Sequence, residues 1–253
     1  MDKISVVRQF TSLFLFITFC FFQIPAQAGT TSDLKKLQAA YPDYVNSVSS
    51  TYVAWKDGTR MAIESSPLVD WFTNRFMHLD KSVGVISRRD IAHDRYEPFF
   101  KKMYGGTADA VKQNLVTIYW MPHVFGKRYP LRVTRVNDID KKLQRISAEL
   151  EKLPRADFKY LERPAGAFYW RNVDMEDYLS AHSFGIAVDI NSQHSDYWLW
   201  DLRRAGKSIS EVEYHNHVPM EIVKIFEKEG FFWGGNWYFY DTMHFEYRPD
   251  LLI

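Results

Sequence analysis

Two short segments of the 253-residue chain hold side chains that could do chemistry together. The first runs Ser180-Ala181-His182-Ser183-Phe184-Gly185-Ile186-Ala187-Val188-Asp189-Ile190-Asn191, with an acid on an apolar stretch shortly after a histidine. A carboxylate between Val188 and Ile190 on a strand is either exposed by alternation or partnered inside, because burial without a partner is costly. The second is Asp241-Thr242-Met243-His244-Phe245-Glu246, with an acid three residues before a histidine. Hydrolytic zinc takes three N or O ligands and keeps one position open for water, which a nearby carboxylate deprotonates. His182, Asp189 and His244 supply such a set, and Asp241 supplies the base. His182 and Asp189 alone recur by chance in many chains; the downstream Asp-x2-His makes the pattern specific.

Other residues fit ordinary roles better. His215-Asn216-His217 lacks same-face geometry and reads as surface histidines, while His78, His93, His123 and His194 show no ligand spacing. Glu246 reads as a solvated strand residue in preference to a partner of a ligand. No Gly-x-Ser-x-Gly elbow, His-Glu-x-x-His helix or glycine-rich phosphate loop is present, which leaves serine hydrolase, zincin and nucleotide-binding readings without support.

The two segments, with Arg171 ahead of the first, resemble the zinc metallopeptidase family of D-alanyl-D-alanine carboxypeptidases, vancomycin-resistance dipeptidases and phage L-alanyl-D-glutamate endopeptidases. That family shares its zinc fold with the Hedgehog signalling domain. The similarity is clearest from about Gly166 to Leu252. It implies a Hedgehog/DD-peptidase-like α+β domain in which the Ser-x-His-x2-Gly-x-Ala-x-Asp motif places zinc on His182 and Asp189 and the later motif adds His244. It further implies that Asp241 is the general base and that Arg171 stabilises charge on the scissile carbonyl oxygen. Ser180 either donates to a substrate carboxylate, as in the carboxypeptidases, or orients the turn carrying His182. The aspartate at position 241, where the carboxypeptidase branch often has glutamate, tilts the expected activity toward L-alanyl-D-glutamate endopeptidase. The alternatives are D-alanyl-D-alanine carboxypeptidase and a non-catalytic, zinc-containing cell-wall binding module. The implied partner is the stem peptide of peptidoglycan.

These residues need elements to position them. Residues 51–63 read as two short strands around Lys56-Asp57-Gly58-Thr59, a tight-turn sequence. Residues 65–106 show no clean period and read as helical or irregular. Ala108–Leu115 suits a short helix behind Thr107, and Val116–Trp120 and Leu131–Val136 suit strands. Ile139, Leu143, Ile146, Leu150 and Leu153 recur at helical spacing up to Pro154. Gly166–Arg171 and Phe184–Ile190 read as strands, Pro219–Lys228 as a helix and Phe231–Tyr247 as an aromatic hairpin. The fold expected is α+β, mostly antiparallel sheet with packed helices, divided into residues 1–28, an N-terminal extension over 29–110 and a zinc peptidase domain over 111–253.

Composition narrows the partners. With 32 basic against 31 acidic side chains, a net charge of +1 gives no electrostatic case for nucleic acid or an anionic membrane. Aromatic residues make up 17% and crowd toward the C-terminal end, as core or as the wall of a ligand groove. Lys3 and Arg8 precede an apolar run from Phe10 to Phe22, and Ala26-Gln27-Ala28 follows, the pattern of an export signal cleaved after Ala28. The run is shorter than the roughly 20 residues of a bilayer-spanning helix, so no permanent membrane anchor is expected. The single cysteine, Cys20, lies in that segment, leaving the mature chain without a thiolate or disulfide. The expected location is periplasmic or secreted.

Overall fold

The structure is a computed structural model and describes residues 31–49, 51–62, 96–174, 176–206, 208, 211–237 and 239–252. The stretch read as an export signal, His78, His93 and most of the aperiodic stretch over 65–106 lie outside the described residues. Helix α1 (Thr31–Ala40) leads into a three-stranded antiparallel sheet of β1 (Val45–Val48), β2 (Tyr52–Trp55) and β3 (Arg60–Ala62). The β2–β3 turn is the expected one, with Thr59 N–H donating to the Asp57 carboxylate at 2.9 Å. Helix α2 (Glu97–Tyr104) follows, and Thr107 then caps α3 (Ala108–Lys112) by accepting the Ala110 N–H.

Strands β4 (Leu115–Trp120) and β5 (Tyr129–Thr134) form an antiparallel ladder. Helix α4 (Ile139–Leu150) buries Ile139, Leu143, Ile146 and Leu150, the face its spacing predicts, against that ladder. Short α5 (Phe158–Leu161) lends its last carbonyl to the buried Trp120 indole at 3.0 Å. Strand β6 (Ala187–Asp189), helices α6 (Trp198–Ala205) and α7 (Met220–Lys228), and strands β7 (Phe231–Trp233) and β8 (His244–Tyr247) complete the chain. The last sheet has the order β6-β8-β7, all antiparallel. The class is therefore α+β, with every strand pair among the described residues antiparallel and the strands shared among three small sheets.

Strand β8 is the centre of that sheet, and all four of its residues are buried. Alternation puts His244 and Glu246 on one face and Phe245 and Tyr247 on the other. Phe226 of α7 stacks on Phe245 with ring centroids 3.8 Å apart, clamping the second face. The N-terminal residues join the same buried cluster: Leu37, Tyr41, Trp55, Phe99 and Phe100 belong with Phe184 and Tyr247.

Three expectations need correction. Gly166–Arg171 is not a strand. Its backbone bonds go to three different partners, with the Gly166 carbonyl accepting from Asp189, Phe168 N–H donating to Arg132 and Tyr169 N–H to His182, so no ladder forms. The strand expected over Phe184–Ile190 shrinks to Ala187–Asp189, because Gly185 sits at φ 68° and ends a 3-10 turn over Ala181–Phe184. The aromatic run at Trp198 is the start of helix α6, an element that the sequence reading lacks. The expected hairpin is present as a paired β7 and β8, but a long loop with its own 3-10 turn over Gly234–Asn236 separates the two strands.

Candidate metal centre

Two of the donors are placed by strand register. Asp189 ends β6 and stands directly opposite His244, the first residue of β8. The third comes from the 3-10 turn before β6, where Ser180 caps the turn by accepting the His182 N–H at 3.3 Å. Gly185 closes it in the left-handed region, where a Cβ would lie 2.7 Å from Leu115 Cδ2 and 3.1 Å from the Thr134 nitrogen. The Ser and Gly of the motif thus serve the turn that delivers His182.

Around one point stand His182 Nε2, Asp189 Oδ1 and His244 Nδ1. The two nitrogens are 3.2 Å apart, and Asp189 Oδ1 lies 3.2 Å from His182 Nε2 and 3.0 Å from His244 Nδ1. Ligands held about 2.0 Å from a tetrahedral zinc stand roughly 3.3 Å from one another, so the donor set fits that ion. It is the one group of three metal-competent side chains among the described residues. The outer ring nitrogens are held as well. His182 Nδ1 donates to the Ala167 carbonyl at 2.5 Å, and His244 Nε2 to Glu246 Oε2 at 3.1 Å. An outer N–H fixes the tautomer whose inner nitrogen offers a lone pair to a metal.

The electrostatics agree. Burial opposes the Asp189 carboxylate, yet the two imidazoles outweigh it and hold its carboxyl far below the usual range. For His244, burial works downward, but hydrogen bonds to Asp189 and Glu246 push it up to about 10. Burial and then the charge of Asp189 push Asp241 up to about 7, against His244 and Arg171. A divalent cation in place of protons would satisfy these carboxylates and release that strain on Asp241.

Asp241 is half-buried, and its Oδ1 accepts the Met243 N–H at 3.2 Å, which leaves Oδ2 for a proton. Its main chain bonds Gly234, whose carbonyl accepts the Asp241 N–H at 3.0 Å; a Cβ on Gly234 would meet the Asp241 carbonyl at 2.6 Å. Arg171 lies close enough for its charge to act on Asp241, while Nη1 donates to the Asn172 carbonyl at 3.0 Å. Ser183, which the sequence reading passed over, clamps the Arg171 backbone: its hydroxyl accepts the Arg171 N–H at 2.9 Å and donates to the Arg171 carbonyl at 2.7 Å.

Glu246 is a correction. It is not a solvated strand residue but 1% exposed, shared between His244 and Arg248. Both faces of β8 are covered, so alternation does not turn Glu246 outward. The signal was present in the sequence as polar residues at every second position, His244, Glu246, Arg248 and Asp250. Trp237 packs its ring 5.1 Å from His244, and its buried indole nitrogen has no acceptor among the described residues. His217 is paired with Asp196 at 2.8 Å and His123 with Glu151 at 2.9 Å, and neither belongs to the donor group.

Residues 174–247 match a family model described as D-alanyl-D-alanine carboxypeptidase. The matched stretch spans all three donors and Asp241 and begins just after Arg171. No curated protein and no solved structure matches the chain.

Proposed function

We propose that this chain is an exported zinc-dependent peptidase that hydrolyses the stem peptides of peptidoglycan, with the Hedgehog/DD-peptidase-like fold. The observation that carries the reading is the convergence of His182 Nε2, Asp189 Oδ1 and His244 Nδ1 within a stretch that matches a cell-wall peptidase family. His182, Asp189 and His244 hold the ion. When bound, zinc supplies Lewis acidity toward a peptide carbonyl and acidifies water.

The chain's own groups do the rest. Asp241 Oδ2 takes the proton of the attacking water and passes it to the amine nitrogen that leaves. The guanidinium of Arg171 carries the negative charge that develops on the carbonyl oxygen. Ser183 holds the Arg171 backbone, and Ser180 holds the turn under His182. Export rests on Lys3, Arg8, the apolar run and Ala26-Gln27-Ala28; among the described residues no helix is long and apolar enough to cross a membrane.

For the bond, the aspartate at the base position favours cleavage between L-alanine and D-glutamate. The description of the matched family favours removal of terminal D-alanine. Muropeptides with tri-, tetra- and pentapeptide stems, digested and read by mass spectrometry, separate the two. A released peptide that begins with D-glutamate, at all three lengths, is the expected product. Free D-alanine alone assigns the carboxypeptidase reaction instead, and no product from a zinc-loaded, folded preparation removes the cell-wall assignment.

A further inference from the structure

The polar contacts behind His244 do not stop at Glu246. While Glu246 Oε2 faces His244, Oε1 accepts from Arg248 Nη1 at 3.1 Å. Arg248 has 0% exposure and sends Nε to Asp250 Oδ1 at 3.3 Å and Nη2 to Oδ2 at 3.4 Å. Asp250, also buried, accepts the Tyr41 hydroxyl on Oδ1 at 2.5 Å. Tyr41 follows α1, more than 200 positions earlier in the chain, and its ring packs edge-on against Phe99 and Tyr247. Phe100 of α2 lies under the guanidinium at 5.2 Å.

Buried charges of this kind are a poor source of stability, since well-packed apolar residues of the same volume usually do as well or better. They hold geometry instead. A lone carboxylate beside His244 could rotate away. Arg248 Nη1 fixes the plane of Glu246 through Oε1, Asp250 fixes Arg248, and the Tyr41 hydroxyl bonds Asp250 in turn. We infer that Arg248, Asp250 and Tyr41 are positioning residues for His244, a buried relay through which the N-terminal segment sets the metal affinity of the centre. The inference rests on the reading of His182, Asp189 and His244 as a zinc site.

The test is a thermodynamic cycle on zinc affinity. Wild-type full chain, Tyr41→Phe, Glu246→Gln and the double variant are titrated with zinc against a chromophoric chelator, and cobalt spectra of each report ligand geometry. Glu246→Gln weakens binding on the order of 10- to 100-fold, the usual range for a partner of a ligating histidine. Tyr41→Phe weakens it less, about 3- to 10-fold, and adds nothing in the Glu246→Gln background, because its effect travels through that carboxylate. Arg248→Lys, which keeps the charge but not the fork, behaves like Tyr41→Phe and replaces it in the cycle if that variant does not fold. Wild-type affinity in these variants, or a loss that recurs in full without Glu246, overturns the relay while leaving the zinc site intact. A wild-type chain that binds no zinc overturns the site reading and the relay with it.

Discussion

The two imidazoles that face each other across the centre are held by different means. His182 rests on the main chain, with the Ala167 carbonyl on its outer nitrogen and a capped turn beneath it. His244 rests on side chains, with Glu246, Arg248 and Asp250 in succession behind it. A carbonyl cannot be removed by substitution, so the His182 half is as rigid as the fold that positions residues 165–169. The His244 half can be adjusted one residue at a time. If the proposed zinc site holds, an anchored histidine beside an adjustable one would let metal affinity change without rebuilding the domain.

The comparison breaks first at the ligands themselves. His182→Ala and His244→Ala each remove one of three donors, and elemental analysis should find the zinc lost from both; full occupancy in either would remove that residue from the ligand set. The next effect belongs to turnover. Asp241→Ala should keep the metal and lose roughly 10²- to 10⁴-fold in kcat, as expected for a general acid-base group. Arg171→Ala should also keep the metal, with its loss in kcat more than in KM. Near-normal turnover or a missing metal in the Asp241 variant would withdraw its role as base.

Acidity sharpens the contrast between the halves. Because His244 is pushed up to about 10 by Asp189 and Glu246 against its burial, at neutral pH it carries a proton that zinc must displace. Apparent affinity therefore falls as pH falls, by about tenfold per unit for one proton. Asp241, pushed up to about 7 by burial and Asp189, adds a fraction of a second proton near neutrality. Calorimetric titrations in buffers of different ionisation enthalpy count these protons; uptake without release would contradict the assignment. The smallest effect tests the His182 turn. Gly185→Ala forces a side chain into a left-handed φ of 68° and into contact with Leu115 and Thr134, costing on the order of 1–2 kcal/mol or more. An unchanged denaturation midpoint would show that the turn does not depend on glycine.

The converging donors were legible because the downstream Asp-x2-His joins a His182–Asp189 spacing that is common by itself, and the helix over Ile139–Leu150 was legible from its period. What supports the site was hidden for physical reasons. The Ala167 carbonyl is a backbone atom with no residue signature. Ser183 looks like any serine until the chain returns Arg171 to it. Glu246 read as solvated because alternation assumes one wet face, whereas β8 is a central strand buried on both, with α7 against Phe245 and the buried Arg248 against Glu246. The segment over Gly166–Arg171 has strand composition, but it divides its hydrogen bonds among Asp189, Arg132 and His182, a tertiary outcome that local pattern does not carry.

The most direct measurement joins the metal to the reaction. Chelator-stripped chain is titrated with zinc while hydrolysis of purified muropeptides is followed. Activity should be absent at the start, rise linearly and level off at about one zinc per chain, and Asp241→Ala should bind the same equivalent without that rise. Full hydrolysis by the stripped chain would contradict the account at its centre.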